Sequence, residues 1–326
     1  MPLIVKDKTA DQFVQGTAML DALPRDEALD LLTGVTDLGC TTFDLAHAYG
    51  GGVSETLMGE WMRQHGVRDE LFLITKGGHP ADGRRRIGRK DVRSDLAMSL
   101  DRLGTDYIDL YLLHRDYEDV PVDEIVTFFD ELFSEGLIRA YGGSNWRHER
   151  FEAAREYARR NNLCEPLATS PHFSLAVPTQ TPWPGCVSIA GEEGAAARAY
   201  YAQDRIPVLA WSSLAMGYFA LGNPDDDAGT VPQDPSTAGM GREQSMSQQV
   251  FSSTMNDARR ERTRSIARAH GDTPTQVAFR YALSTTLEVH PIVGCRTSAE
   301  YAALQEAARR PLSAAEVRWL EEGSAS

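Results

Sequence analysis

Four polar residues stand at or just beyond the ends of successive apolar runs: Asp44 in "TTFDL", Tyr49 five positions on, Lys76 in "LITKGG" and His114 in "LYLLHRD". Taken singly, such an Asp is ordinarily a helix cap or ion-pair partner, such a Lys a surface residue and such a His a satisfied core residue. Together the four types define one chemistry. A phenol with a pKa of ~10 is a poor acid–base at neutral pH unless its anion is stabilised. A nearby ammonium favours the phenolate and lowers that pKa. A buried ammonium in turn needs a counter-charge, which a carboxylate supplies. A neutral imidazole donates to a carbonyl oxygen and orients it. The set can therefore give a proton to, or take one from, an alcohol or carbonyl oxygen. It holds no electron carrier, so a cofactor has to bring the hydride.

The elements that would position these residues alternate along the chain. Short β-branched or apolar runs predict strands over 13–17, 41–45, 71–76, 107–114, 137–145, 167–171, 206–212 and 289–294. Amphipathic stretches predict helices over 25–39, 89–104, 122–136 and 147–161, the second ending at a glycine stop signal. Parallel neighbours need crossover elements, so eight strands with helices between them point to an α/β fold, a closed (β/α)8 TIM barrel. A doubly wound dinucleotide-binding sheet would open with GxGxxG after its first strand, and no such run follows any strand. In a barrel, chemistry collects where the strands end. Two stretches interrupt the alternation. One is the Pro- and Gly-rich 179–193; the other is the excursion 214–250, whose 222–249 part has almost no apolar content. In isolation the second reads as a linker; within a barrel it reads as a lid beside the active site. Residues after 295 read as terminal helices, giving one domain over 1–326.

Bulk properties narrow the partners. The chain has 326 residues, 42% hydrophobic and 25% charged, enough for a sizeable core. A net charge of −14 speaks against nucleic-acid binding, which needs a basic footprint. Cys40, Cys164, Cys186 and Cys295 lack CxxC spacing, which argues against zinc and disulfides and for free thiols in a reducing cytoplasm. No leader-like start and no run of ~18 apolar residues is present, so a cytoplasmic, membrane-free location is expected.

The motifs resemble those of the aldo-keto reductase superfamily over nearly the whole chain. "FDLAHAYGGGVSE" is similar to its strand-2 signature, "SLDRLGTDYIDLYLLHRD" to its strand-4 signature, and "GGSNW" to the motif that holds the cofactor amide. The resemblance implies NAD(P)(H)-dependent reduction of an aldehyde or ketone, or the reverse oxidation of an alcohol. It implies Tyr49 as general acid–base, Asp44 and Lys76 as its tuners, and His114 as the residue orienting the substrate. It implies an extended NADP(H) or NAD(H) across the barrel mouth. Gly16, Thr17 and Asp44 would lie beside it, and Ser144 and Asn145 would bond its carboxamide. Trp211, from "AWSSLAMGYF", would stack on the nicotinamide, with Ser212, Ser213, Leu214 and Gly217 about the phosphates. Gly294, Arg296 and Glu300 from "PIVGCRTSAEYAAL" would meet the adenosine end.

The chain departs from the family pattern in places. Ser170 stands where a glutamine is usual, and Phe173 lacks a hydroxyl. Glu300 occupies an amide or basic position, and Leu304 one where asparagine is common. A carboxylate repels a 2′-phosphate and accepts from a ribose diol, which keeps NAD(H) open beside NADP(H). Trp146, Trp183, His79 and His172 are candidates to line the substrate pocket, and aromatic rings among polar groups suit a sugar or polyol. Two other readings compete: a cofactor-binding regulatory subunit on the same barrel, and a glycosidase using Asp44 and Asp116. The complete set of four disfavours the first, and Lys76 and Tyr49 would have no purpose in the second.

Overall fold

The computed structural model describes residues 3–221 and 241–323. Eight parallel strands close in the order β10-β3-β4-β5-β6-β7-β8-β9. They are β3 (Val14–Gly16), β4 (Thr42–Asp44), β5 (Phe72–Gly77), β6 (Leu110–Leu113), β7 (Tyr141–Ser144), β8 (Ala168–Ser170), β9 (Val208–Ala210) and β10 (Val289–Val293). Seven fall inside runs expected from the sequence, and β5 runs one residue past the expected 71–76, to Gly77. A short antiparallel hairpin, β1 (Ile4–Val5) with β2 (Lys8–Thr9), precedes them and was not expected. Two residues per strand are too few to leave a periodic signal.

Strand parity sorts the side chains. Side chains alternate between the two faces of a strand. Phe72, Ile74, Leu110, Leu112, Ala140, Ala168 and Leu209 form an inner cluster, which the hairpin's Leu3, Val5 and Ala10 join. Their neighbours Leu73, Tyr111, Leu113, Tyr141 and Val208 belong to an outer cluster shared with the helices. Continuing the inward series two residues at a time leads from Ile74 to Lys76, from Leu112 to His114 and from Leu209 to Trp211. Ladder pairs set Asp44 level with Ile74, Lys76 with Leu112, and Ser144 with Ser170. Alternation alone thus carries these polar residues to the inward side at the strand ends.

The four expected helices are α1 (Arg25–Asp37), α3 (Arg89–Leu103), α4 (Val122–Ser134) and α5 (His148–Asn161), with α2 (Val53–His65) between the first two. In α4, Ile125, Val126, Phe128, Phe129 and Leu132 recur at helical spacing and are buried, each contributing about 1.5–3 kcal/mol. Helix α2 approaches α3 through Gly59, where a Cβ would lie 2.0 Å from the Arg102 carbonyl oxygen. The later helices are α6 (Ala195–Gln203), α7 (Gly241–Phe251), α8 (Thr254–His270), α9 (Pro274–Leu283), α10 (Ser298–Ala308) and α11 (Ala314–Glu322). Thr273 and Gln276 close a capping box on α9, with Pro274 at its first position. The stretch 179–193 contains no helix or named strand. The expected 214–250 excursion is partly regular: it begins with a 3-10 turn, Ala215–Ala220, and ends within α7. The rest of the proposed lid, 222–240, lies outside the described residues.

Candidate active site

Asp44, Lys76 and Tyr49 converge at the ends of β4 and β5. The Lys76 Nζ donates to Asp44 Oδ2 at 2.8 Å and to the Leu45 carbonyl at 2.7 Å, with Asp44 Oδ1 2.7 Å away. It also lies 3.1 Å from the Tyr49 hydroxyl, which is 3.5 Å from Asp44 Oδ2. Both charged groups are about 2% exposed. A buried ion pair of this kind holds only if its remaining donors are satisfied, and here the Leu45 carbonyl and the phenol satisfy them. Thr17 fixes the pair from behind: its N–H and hydroxyl both donate to the Asp44 carbonyl, at 3.0 and 2.8 Å.

Tyr49 is aimed by the turn that follows it. Gly50, Gly51 and Gly52 all take positive φ, 56°, 63° and 103°, which L side chains rarely adopt. His114 faces the phenol edge-on, ring centroids 5.9 Å apart and planes at 84°. Burial, then the charges of Lys76 and Arg115, push the His114 pKa well below the usual histidine value, so the imidazole is neutral at pH 7. For Lys76, burial acts against the ammonium, but Asp44 and Tyr49 outweigh it and the pKa is raised. The phenol differs from the sequence expectation. Burial raises its pKa, and the opposing pull of Lys76 does not cancel that effect. Tyr49 is thus held in its acid form at neutral pH.

On the other half of the mouth, Asn145 is a hub. Its Oδ1 accepts from the Val187 N–H at 3.1 Å and from Trp211 Nε1 at 3.2 Å, while its Nδ2 donates to Ser144 Oγ at 3.0 Å. Ser144 Oγ donates to the Ser170 carbonyl at 3.1 Å. The Ser170 hydroxyl is buried with no partner among the described residues. Beyond β9 the backbone is left-handed at Ser212, Ala215, Met216 and Gly217 (φ 47°, 51°, 52° and 79°). Ser213 is buried, its hydroxyl bonded to the Ile292 carbonyl at 2.9 Å, and Leu214 packs on the core.

Other expected residues fall differently. Thr17 and Gly16 are buried in the barrel wall; the Thr17 hydroxyl is engaged with Asp44 and Ser54, so it is a support for Asp44 and offers no free group to a cofactor. Trp146 is fully buried against Gly143 and Phe151 in the outer cluster, which removes it from the substrate mouth. Trp183 is 43% exposed, with its ring 6.1 Å from Trp211. His79 meets His114 edge-on, ring centroids 4.8 Å apart, whereas His172 is buried between Ser188 and Ser174. Gly294 is exposed at the end of β10. The Arg296 N–H donates to Glu300 at 2.8 Å, so that carboxylate serves the start of α10, and Leu304 is buried in the core. Asp116 is gripped by Arg150 at 2.9 and 3.2 Å, and Asp44 by Lys76, so the two form no carboxylate pair.

A family model described as "Aldo/keto reductase family" matches residues 12–324. The chain belongs to the aldo/keto reductase family. Among solved structures, a thermostable aldo-keto reductase crystallised with the inhibitor epalrestat superposes with a TM-score of 0.72 at 20% identity. That match covers 99% of this chain and 100% of the other. One curated relative is the aldo-keto reductase yakc [NADP(+)] of Schizosaccharomyces pombe, 38% identical over 117 residues, or 34% of each chain. Another, from the same organism, carries a name that places it among voltage-gated potassium channel β subunits; it is 35% identical over 143 residues, 42% of each chain. The matched segments thus span under half the length of these relatives. No helix among the described residues is long and apolar enough to cross a membrane.

Two features escaped the sequence reading. Asn145, expected to offer its amide to a cofactor, also organises Trp211 and the 187 loop, which the sequence did not signal. Arg115, next to His114, was passed over although its charge acts on the phenol. Its adjacency to His114 in "LLHRD" was the only available signal.

Proposed function

We propose that the protein reduces an aldehyde or ketone to an alcohol, with Tyr49 giving the proton to the carbonyl oxygen. The observation that carries this is the 3.1 Å contact between Lys76 Nζ and the Tyr49 hydroxyl, with the ammonium held by Asp44. The raised phenol pKa keeps the proton available at neutral pH, and the ammonium stabilises the phenolate left behind. In the neutral His114 ring, Nδ1 is buried without a partner among the described residues. An N–H there would be left unsatisfied, which favours the tautomer with hydrogen on Nε2 as donor to the carbonyl oxygen.

A nicotinamide dinucleotide, NADP(H) or NAD(H), supplies the hydride when bound. The residues present fit such a group. The Ser170 hydroxyl is an orphaned buried donor beside Ser144, and Trp211 offers an aromatic face. The left-handed backbone at Ser212 and Ala215–Gly217 is the strained kind that collects at binding sites. Gly294, Arg296 and Glu300 lie past β10 for the adenosine end. The NADP(+) in one relative's name favours the phosphorylated form, and Glu300 favours NAD(H). The exposed Trp183 beside Trp211 suits the face of a sugar or polyol. A regulatory-subunit role is suggested by the potassium-channel name of one relative, but the complete set of Asp44, Tyr49, Lys76 and His114 supports turnover.

Tyr49→Phe should lower kcat/KM for carbonyl reduction by about 10²–10⁴-fold. Fluorescence titration with NADPH and NADH should give Kd values within threefold of the parent. Near-parental reduction by Tyr49→Phe would exclude Tyr49 as the proton donor.

A further inference from the structure

Arg115 follows His114 directly and is only 8% exposed. Among the described residues its one hydrogen bond is from Nη1 to the His114 carbonyl at 2.9 Å, and no carboxylate of theirs lies within 4.0 Å of it. Acids are plentiful next to it in "RDYED", yet each is taken by another arginine. Asp116 is held by Arg150 at 2.9 Å, Asp119 by Arg85 at 2.8 Å, and Glu118 lies 3.8 Å from Arg147. Buried charges are ordinarily paired, so a near-buried guanidinium left out of so dense a set of ion pairs calls for an anion from outside.

Its position says which anion. Burial is the largest influence on the pKa values of Tyr49, His114, His79 and Cys186, and the Arg115 charge acts on all four. The Nη1 contact with the His114 carbonyl places the guanidinium beside His114, at the strand-end face of the barrel. A Cβ at Gly185 would lie 3.7 Å from Arg115 Cδ, so the 179–193 loop that carries Trp183 packs on its stem. The end of β6, from which Arg115 emerges, lies four strands from β10 in an eight-strand ring, on the opposite side from Gly294 and Arg296. The adenosine phosphates proposed at β10 do not fill this role.

We infer that Arg115 anchors an anionic group, carboxylate or phosphate, on the carbonyl substrate, so that the preferred substrates are carbonyl compounds bearing such a group. This rests on the carbonyl-reductase reading above. A planar guanidinium pairs with either oxyanion through two parallel hydrogen bonds, which fixes orientation as well as position.

Two measurements on the full-length protein test it. Calorimetry with NADP+ present compares benzoate with benzamide; benzoate should bind at least tenfold tighter, and Arg115→Gln should abolish the difference. Kinetics compare 4-formylbenzoate with its methyl ester, and glyceraldehyde 3-phosphate with glyceraldehyde. The anionic member of at least one pair should have a kcat/KM at least tenfold higher, mainly through KM, and the pair showing it identifies carboxylate or phosphate. In Arg115→Gln that ratio should fall to near one, with Arg115→Lys intermediate. Ratios near one in the parent, or ratios unchanged in Arg115→Gln, overturn the anchor. Arg115-dependent benzoate binding with no turnover of any carbonyl would instead sink the reductase reading and keep the anchor.

Discussion

The two halves of the barrel mouth are built from different materials. On the β4–β6 side the parts are charged and polar side chains, Asp44, Lys76, Tyr49 and His114, touching one another. On the β7–β9 side the conspicuous feature is the backbone. Asn145, Ser212, Ala215 and Met216 are non-glycine residues with φ between 47° and 61°. Each left-handed L residue costs roughly 1–2 kcal/mol, which the surrounding packing has to offset. One half stores its chemistry in electrostatics and the other in conformation.

The largest effect should come from breaking the electrostatic half. Lys76→Met leaves Asp44 buried without its counter-charge, which should cost about 3–5 kcal/mol of stability. It also removes the stabiliser of the phenolate, so turnover should fall at least as far as in Tyr49→Phe. The double change Asp44→Asn/Lys76→Met removes the orphaned charge and should recover most of the stability but none of the turnover. Urea denaturation and steady-state kinetics on the same preparations separate the two. If the double variant recovers activity with its stability, the ammonium is only a structural plug.

This division explains what could be read from the sequence. Strand order follows from the regular succession of strands and crossover helices, and the inward direction of Asp44, Lys76 and His114 from alternation along each strand. Those were legible. Trp146 was misjudged because an aromatic beside "GGSN" reads equally as wall or lining. Only the packing of its ring over Gly143 decides for the wall. The left-handed run at 215–217 was illegible because Ala and Met carry no preference for that conformation; tertiary contacts impose it. Arg115 was overlooked because its meaning depends on where Asp116, Glu118 and Asp119 turn.

A pH measurement sharpens the contrast. His172 packs 5.1 Å from Trp211 and 5.6 Å from Phe251, with Ser174 and Ser188 as its hydrogen-bond partners. Burial alone lowers its pKa to about 3 from the usual 6.5. The unfolded chain takes up this proton below pH 6.5 and the folded chain refuses it until about pH 3. Stability from this group is therefore complete above pH 6.5 and declines as the pH falls towards 3. At pH 5 the loss should be about 2 kcal/mol. His172→Gln cannot take up that proton, so the stability gap between parent and variant should narrow from pH 8 to pH 5. A gap that stays constant would mean that His172 takes up its proton as readily in the fold as in the unfolded chain, and that burial does not set its state.

The smallest expected effect tests the conformational half directly. Met216 sits at φ 52° and ψ 38° and packs only partly on the core. Met216→Gly relieves the left-handed cost but raises the entropy of the unfolded chain by roughly 0.5–1 kcal/mol and removes the packing of the side chain. These contributions oppose one another, so stability should change by less than about 1 kcal/mol. Met216→Ile keeps the bulk and adds a β-branch to a conformation that branched residues resist, so it should lose more than the glycine variant. Denaturant midpoints order the three proteins, and cofactor Kd values should follow a different order. The glycine variant, free to leave the left-handed turn, should bind cofactor several-fold more weakly at nearly parental stability. If Met216→Ile matched the parent in both measurements, the backbone at 215–217 would tolerate another conformation. The β7–β9 half would then owe its form to its side chains, as the β4–β6 half does.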